Sequence, residues 1–321
     1  MTVGGRPVPD PGRPEEAGHG PDFLGATAAE PTAGEVHGEQ RSAFRRGLEV
    51  FAQNRLALLG VAILVFFVLF CFLGPHIHPT DQTTSDLANA NVPPGSGHPL
   101  GTDPNGYDEL GRLMYGGQAS LTVGIAAAIL ATVVGTLYGA ISGYIGGAVD
   151  VVMMRIVDGV LAIPALFLLL VLSSIYTPGP FVMVLLIASF SWLGAARLIR
   201  GESLSLRVRE YVQAVRVMGG GNVRAILRHI APNAIGTVVV FATFTVADSI
   251  LALAFLGYLG LGLQPPKTDW GAMLSTATDY INSGYWWLLY PPGLCIVLVC
   301  IAFNFLGDAL RDAFEVRLQS R

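Results

Sequence analysis

Charge is what this sequence has least of. Only 13% of its 321 residues are Asp, Glu, Lys or Arg, against about 25% in soluble domains. With 52% hydrophobic residues and a mean hydropathy of +0.55, a soluble fold would lack the polar surface that keeps it dispersed. A water-soluble globular domain is therefore excluded, and the bilayer is the expected solvent. Lysine is nearly absent. The one lysine, Lys267, follows Pro266, so there is no Gly-Lys-Ser/Thr phosphate loop and any nucleotide hydrolysis must come from partners. Cysteine is rare as well. Cys71, Cys295 and Cys300 each lie in an apolar run, which excludes a disulfide framework and leaves them as small core residues. No Ser/His/Asp arrangement and no His/Cys cluster occurs. Neither catalysis nor a cofactor or metal on this chain is expected, and no nucleic-acid partner.

What the sequence does have is long apolar runs. A membrane-crossing helix needs about 20 mostly apolar residues. Charge-free stretches and the breaks inside them place six spans, at about 56–74, 121–144, 151–172, 181–196, 234–256 and 287–306. Gly146-Gly147 ends the second, and the stretch from Ser173 to Pro180 separates the third from the fourth. Pro291 and Pro292 are expected in the first turn of the sixth, where a missing N–H costs little. The expected fold is an all-α polytopic membrane protein of six transmembrane helices, multi-pass in the inner (plasma) membrane.

Six crossings put both termini on one side, and the arginines say which. Arg41, Arg45, Arg46 and Arg55 precede the first span. Arg197, Arg200, Arg207, Arg209, Arg216, Arg224 and Arg228 follow the fourth, and Arg311, Arg317 and Arg321 follow the sixth. The outer segments, 75–118 and 257–286, hold only Arg112 and Lys267. Both termini are thus expected in the cytoplasm. Trp270, Trp286 and Trp287 suit an interfacial belt. Residues 1–44 are poor in large apolar groups and are expected to be a disordered cytoplasmic tail; without an apolar core the tail is not read as a signal peptide. Residues 45–321 form the expected membrane domain.

The cytoplasmic segment 197–232 carries the most information. Val208, Tyr211, Val212, Val215 and Met218 recur at helical spacing, while Arg209, Gln213 and Arg216 take another face. Gly219-Gly220-Gly221 ends that helix. Asn222 is placed to cap a second one, Val223 to Ile230, which Pro232 closes. Periodicity leaves two readings open. The first helix either seats in a groove on a partner and carries the partner's motion to the spans, or rests on headgroups with its arginines on anionic lipid.

Gln213-Ala214-Val215, then Gly219, then His229-Ile230-Ala231-Pro232 resembles the "EAA…G…I-x-L-P" loop of permease subunits of binding-protein-dependent ABC importers. Arg209-Glu210-Tyr211-Val212-Gln213-Ala214 followed by Arg228 to Asn233 is similar to its form in the dipeptide/oligopeptide/nickel subfamily; Gln213 and Val215 stand where the general motif has Glu and Ala. His98 to Asp103 (with Gly101, Thr102 and Asp103), Gly106 and Asp108 resemble the outer segment of the C-type subunit of that subfamily. Phe255 to Gly262, Gln264-Pro265-Pro266 and Trp270 to Leu274 resemble its outer loop after the fifth span. The resemblance runs from about residue 45 to the C-terminus. It implies a type I ABC importer permease fold and a peptide path shared with a homologous second permease subunit. It also implies an extracytoplasmic substrate-binding protein and two ATPase subunits that bind ATP and Mg. ATPase coupling is implied for Arg209, Glu210, Tyr211, Val212, Gln213, Ala214, Val215, Arg216, Gly219 and Pro232.

Charges near the spans need partners, because an unpaired charge in hydrocarbon is costly. Arg155 and Asp158, three apart on one helix, are expected to form a structural ion pair; a pathway role is the alternative. Asp248 lies in the middle of the fifth span with no intramembrane base. It faces the pathway to meet a peptide's amino end, bonds a partner subunit, or sits protonated near the outer mouth. His98, near Asp103 and Asp108, is read as loop packing because no second ligating histidine lies nearby. Small residues of the second span (Gly124, Ala131, Gly135, Gly139, Gly143) permit close helix contact. Two rival functions remain: an ion-driven secondary transporter, which would take up solute alone in liposomes, and a non-transporting assembly protein, whose complex would lack solute-stimulated ATPase activity.

Overall fold

In the computed structural model the described residues are 49–319, apart from Ser96, Thr177 and Pro178; the expected tail, 1–44, lies outside them. Ten helices carry the fold: α1 (Arg55–Ile77), α2 (Glu109–Ile145), α3 (Gly147–Leu161), α4 (Ala165–Ile175), α5 (Pro180–Leu206), α6 (Glu210–Val217), α7 (Asn222–Ala225), α8 (Ile235–Tyr258), α9 (Trp270–Thr278) and α10 (Trp286–Gln319). There is no β-sheet among the described residues, only two isolated bridges. Five helices are long and apolar enough to cross a membrane, and α3 with α4 makes up to six if that bent pair is one span.

The first and fifth expected spans match α1 and α8 closely. The others need correction. The third is not one helix: α3 and α4 meet at 76°, because Pro164 has no N–H to donate and its ring opposes the carbonyl of Val160. The second begins at Glu109, well inside the expected outer segment. Asp108 starts it by accepting the Gly111 N–H on Oδ1 at 2.7 Å. At about 1.5 Å per residue α2 is ~55 Å long, so its first turns stand outside a hydrocarbon core of about 30 Å. The fourth and sixth spans continue past their expected ends, to Leu206 and Gln319. Arginine and aspartate there mark where a helix leaves the bilayer, which is not where it stops. Because α10 starts at Trp286, Pro291 and Pro292 lie inside it, in the second turn and not the expected first.

Prolines inside helices are accommodated locally. Pro75 lies in the last turn of α1 and deprives the Cys71 carbonyl of its helical donor; the Gln118 amide of α2 donates to it instead, at 2.7 Å. Pro232 does not close a helix as expected. Residues Ile226–Ile230 form a π-helical turn whose Ala231 N–H reaches Ile226 O, and the chain runs on through Ala231–Asn233 toward α8. The wider turn takes up one residue where proline cannot donate. Nor does Asn222 cap α7: Gly221 holds that position, without a side-chain bond.

The helices pack through small residues. Gly135, Gly139 and Gly143 of α2 meet the backbone of α5 at Trp192, Ala196 and Arg200, so the small-residue stripe serves contact within the chain. Gly124 meets Ile250 of α8, and Gly60 of α1 meets Ala302 of α10. One core joins α1, α2, α8, α9 and α10 around Phe67, Cys71, Ile250, Trp270 and Val299. A second joins α2, α4, α5 and α8 around Ala127, Leu169, Ile187 and Leu253. The three cysteines are free and buried, as expected of small core residues. Two of the three tryptophans assigned to an interfacial belt are core residues instead: Trp270 is 0% exposed and Trp287 is buried, while Trp286 is exposed. Each buried indole N–H finds a carbonyl, Trp270 at Leu113 (3.0 Å) and Trp287 at Thr102 (3.2 Å), as a buried donor must.

Candidate functional site

Segment 197–232 folds as a platform against α2 and α5. Glu210 opens α6 and Gly219, at φ +78°, turns the chain back into α7. The apolar face read from the sequence divides in two. Val212 is 0% exposed and Val215 packs beside it, against Ala140, Tyr144, Ile199, Ala225, Ile226 and Ile230. Those two contacts fix α6 to the spans. Val208, Tyr211, Val217 and Met218 are exposed, Val217 at 87%. Arg209, Glu210, Gln213 and Ala214 are exposed beside them; Arg216 belongs to the same helix, and its side chain lies outside the described structure. Gln213 Nε2 donates to Val208 O at 3.1 Å. The Tyr211 ring lies 6.3 Å from His229. Pro232, exposed, follows the π-helical turn. The platform therefore exposes apolar and polar side chains together on a base held by packing.

Ion pairs tie this platform upward, and they differ from the expected pair. Arg155 and Asp158 do not pair. Arg155 is exposed, and Asp158 instead accepts from Arg197 Nη2 of α5 at 2.5 Å. The i,i+3 spacing brings two residues near each other, but α5 offers the better-placed guanidinium. One turn further along α5, Arg200 meets Asp150 through both Nε and Nη2 (2.5 and 2.6 Å), and Asp150 also accepts the Ser142 hydroxyl (2.5 Å). That two-pronged pair fixes orientation as well as charge. Arg207 Nη1 donates to Gly143 O at 3.2 Å, covering an open carbonyl at the end of α2. The sequence reading passed over these three arginines as partners; their excess on one side was the only signal they gave.

Asp248 lies on an exposed stripe of α8 with Leu251, Phe255 and Tyr258. It has no hydrogen-bond or ion-pair partner among the described residues. Beside it, Cys300 Sγ of α10 approaches Ala247 O at 3.8 Å.

Between α1 and α2, the motif residues organise a cap. Gly101 (φ +73°) and Gly106 (φ +81°) make the turns that aim Thr102, Asp103 and Asp108 inward, and all three are buried. Thr102 Oγ1 accepts the Val92 N–H at 2.8 Å. Asp103 accepts the N–H groups of Asn105 and Tyr107, each at 2.9 Å. Burial pushes its carboxyl up, against the pull of those bonds and of Arg112. Asp108 also receives His98 Nδ1 at 2.9 Å and His78 Nε2 at 3.3 Å. His98 thus packs the loop as expected, but a second histidine does arrive, from thirty residues upstream. The two rings share one carboxylate, and no group of three or more His, Cys, Asp or Glu able to hold a metal occurs among the described residues. Across the cap Asp269 caps α9 and accepts from Leu263, Gly271 and Ala272; burial pushes this carboxyl up too, offset by those three N–H groups.

Residues 135–320 match the family described as binding-protein-dependent transport system inner membrane component. Residues 42–94 match the N-terminal TM domain of oligopeptide transport permease C. The oligopeptide transport system permease protein OppC of Escherichia coli (strain K12) is 41% identical over 279 residues, 86% of this chain and 92% of that protein. The protein of the same name from Bacillus subtilis (strain 168) is 36% identical over 298 residues, 92% of this chain and 97% of its own. The dipeptide transport system permease protein DppC of Bacillus subtilis is 35% identical over 267 residues, 83% of each chain. The family match spans more than half of the sequence and the relatives are alike over most of theirs: the chain belongs to the binding-protein-dependent transport system inner membrane components, and is a multi-pass membrane protein of such a system.

Proposed function

We propose that the chain is the C-type permease subunit of an ATP-driven importer of di- or oligopeptides. The observation that carries this reading is α6, seated through Val212 and Val215, with Val208, Tyr211, Val217 and Met218 exposed on it and at its ends. It docks a separate ATPase subunit, and the buried Val212 passes the motion on to α2 and α5. In this reading the bent pair α3–α4 counts as one crossing, the spans number six, and both termini lie in the cytoplasm. The distribution of arginines supports that orientation. A homologous second permease, two ATPase subunits that bind ATP and Mg, and an extracytoplasmic binding protein complete the assembly. Residues 45–321 form the permease domain, and 208–232 is its coupling loop.

Gly219 tests the coupling. A side chain there meets nothing within 4 Å, so the cost of substitution is the left-handed backbone itself, about 1–2 kcal/mol. Gly219→Val is expected to leave insertion and assembly intact and to lower peptide uptake per ATP hydrolysed about tenfold in reconstituted complexes. A normal ratio sinks the coupling role.

Asp248 is assigned to the shared path. An acid at mid-span, exposed and without a hydrogen-bond or ion-pair partner among the described residues, belongs where water or another subunit reaches it. In proteoliposomes of the full complex, Asp248→Ala is expected to reduce uptake of peptides with a free amino end several-fold and uptake of N-acetylated ones less. Unchanged kinetics for both removes it from the path.

A further inference from the structure

The cap encloses a cavity of about 230 Å³ between the first turn of α2, the loop 259–268 and α9. Glu109 lines it, is 2% exposed, and has no hydrogen-bond or ion-pair partner among the described residues. A buried carboxylate left alone costs several kcal/mol, so its neighbours decide what it is for. All the other charged groups beside it but one are taken. Asp103 is engaged by two backbone N–H groups and faces Arg112 Nε at 3.7 Å. Asp108 holds Gly111, His78 and His98. Asp269 holds three backbone N–H groups. Arg112 donates to Pro266 O at 3.1 Å and lies over the Tyr107 ring at 4.5 Å. The exception is Lys267, exposed on the rim.

Two hydroxyls of the wall have spent their donors, and the Gln264 amide has spent one of its two. The Thr276 hydroxyl donates to Ala272 O at 3.2 Å and the Thr268 hydroxyl to Asp269 O at 3.4 Å. The Gln264 amide donates to Gly262 O at 3.4 Å. The two hydroxyls can now only accept, and the Gln264 carbonyl oxygen accepts beside them. We propose that this cavity binds a primary ammonium group, with Glu109 as its counter-ion and the oxygens of Gln264, Thr268 and Thr276 as acceptors. An ammonium has three N–H donors and no acceptor, the complement of what the wall offers. A divalent cation is a poorer match, because one free carboxylate beside a guanidinium supplies too little charge and too few ligands. The volume admits an ammonium on a short alkyl arm. Lys267 is the resident competitor for the same carboxylate.

The test is binding to the full chain in lipid nanodiscs, read as the thermal unfolding midpoint with butylammonium, tetramethylammonium or butanol at matched ionic strength. Butylammonium is expected to raise the midpoint by about 3 °C at millimolar concentration, and the other two to leave it unchanged. Glu109→Gln, which removes the carboxyl group and keeps the shape, abolishes the rise; Lys267→Ala keeps it or shifts it to lower concentration. A response that appears only in Lys267→Ala still upholds the site, with Lys267 as its occupant. No response in either background overturns the proposal, as does an equal rise in Glu109→Gln or an equal rise with tetramethylammonium. Triglycine and N-acetyltriglycine separate the sources. A rise with triglycine alone assigns the ammonium to a peptide's amino end, and a rise with neither, while butylammonium still acts, assigns it to a lysine arm of a protein outside. The readout is binding and involves no uptake, so its failure leaves the import reading standing, and the reverse holds too.

Discussion

Gly139→Leu is expected to leave almost no folded chain. A Cβ at this position would sit 2.3 Å from Ala196 O and 2.9 Å from Arg200 N. Both neighbours are backbone atoms and cannot rotate aside. Gly135 and Gly143, one turn either way, are as tightly placed, at 2.5 Å from Trp192 O and 2.6 Å from Arg200 O. The three glycines form one groove into which α5 lies. In lipid no hydrophobic force presses helices together, and close backbone approach supplies much of what holds them. Overpacking a core ordinarily costs about 1–3 kcal/mol. With two backbones in the way the cost is expected to exceed ~3 kcal/mol, since the helices must part along their length. Gly159→Leu is the control: nothing lies within 4 Å of its added Cβ, and leucine favours a helix by roughly 0.8 kcal/mol over glycine. Fluorescence-detected size exclusion and thermal midpoints of both variants make the comparison. A monodisperse Gly139→Leu peak with a wild-type midpoint contradicts the packing account.

The groove was half legible in the sequence, and the half is instructive. Glycines at four-residue spacing announce a close contact, yet nothing in them names the partner. The same limit runs through the molecule. Spans are visible because hydropathy reports the solvent, so α1 and α8 fell where expected. Helix ends are not visible where a helix simply walks out of the bilayer, as α5 does past Arg197 and Arg200 and α10 past Asp308 and Arg311. The break at Pro164 hid inside an apolar run that carried no charge to mark it. In segment 197–232, α6 and the turn at Gly219 were readable because an amphipathic period and a glycine are local signals. Which half of its apolar face turns inward was not, since that depends on Tyr144 and Ile199, from two other helices. Pairings were least legible. Asp158 took Arg197 over its near neighbour Arg155, and Trp287 spends its indole N–H on a carbonyl 185 residues away.

The pair Asp150–Arg200 makes that last kind of information quantitative. Asp150 is 8% exposed and takes two of its three bonds from Arg200. Arg200→Met leaves a buried carboxylate with the Ser142 hydroxyl as its one side-chain hydrogen bond and the Arg207 charge nearby, at an expected cost of about 2–3 kcal/mol. Lysine is not expected to rescue it, because a point charge cannot reproduce the two parallel bonds. Arg197→Met, by contrast, breaks a pair whose side chains are 52% and 49% exposed, and such pairs are worth less than about 1 kcal/mol. Adding Asp150→Asn to Arg200→Met removes the orphaned charge and is expected to recover most of the loss. Thermal midpoints of the four variants in nanodiscs decide it. If Arg200→Met and Arg197→Met fall equally, or if Asp150→Asn fails to rescue, Asp150 is not the anchor. The consequence for transport follows from where the pair sits. Asp150 fixes the start of α3 to α5 within two turns of Leu206, where α5 hands over to α6. Any force entering at α6 reaches α3 through this bond as well as through Val212. Arg200→Met in the assembled importer is therefore expected to lower uptake per ATP as well as stability, and the Asp150→Asn double variant to restore stability while leaving coupling impaired.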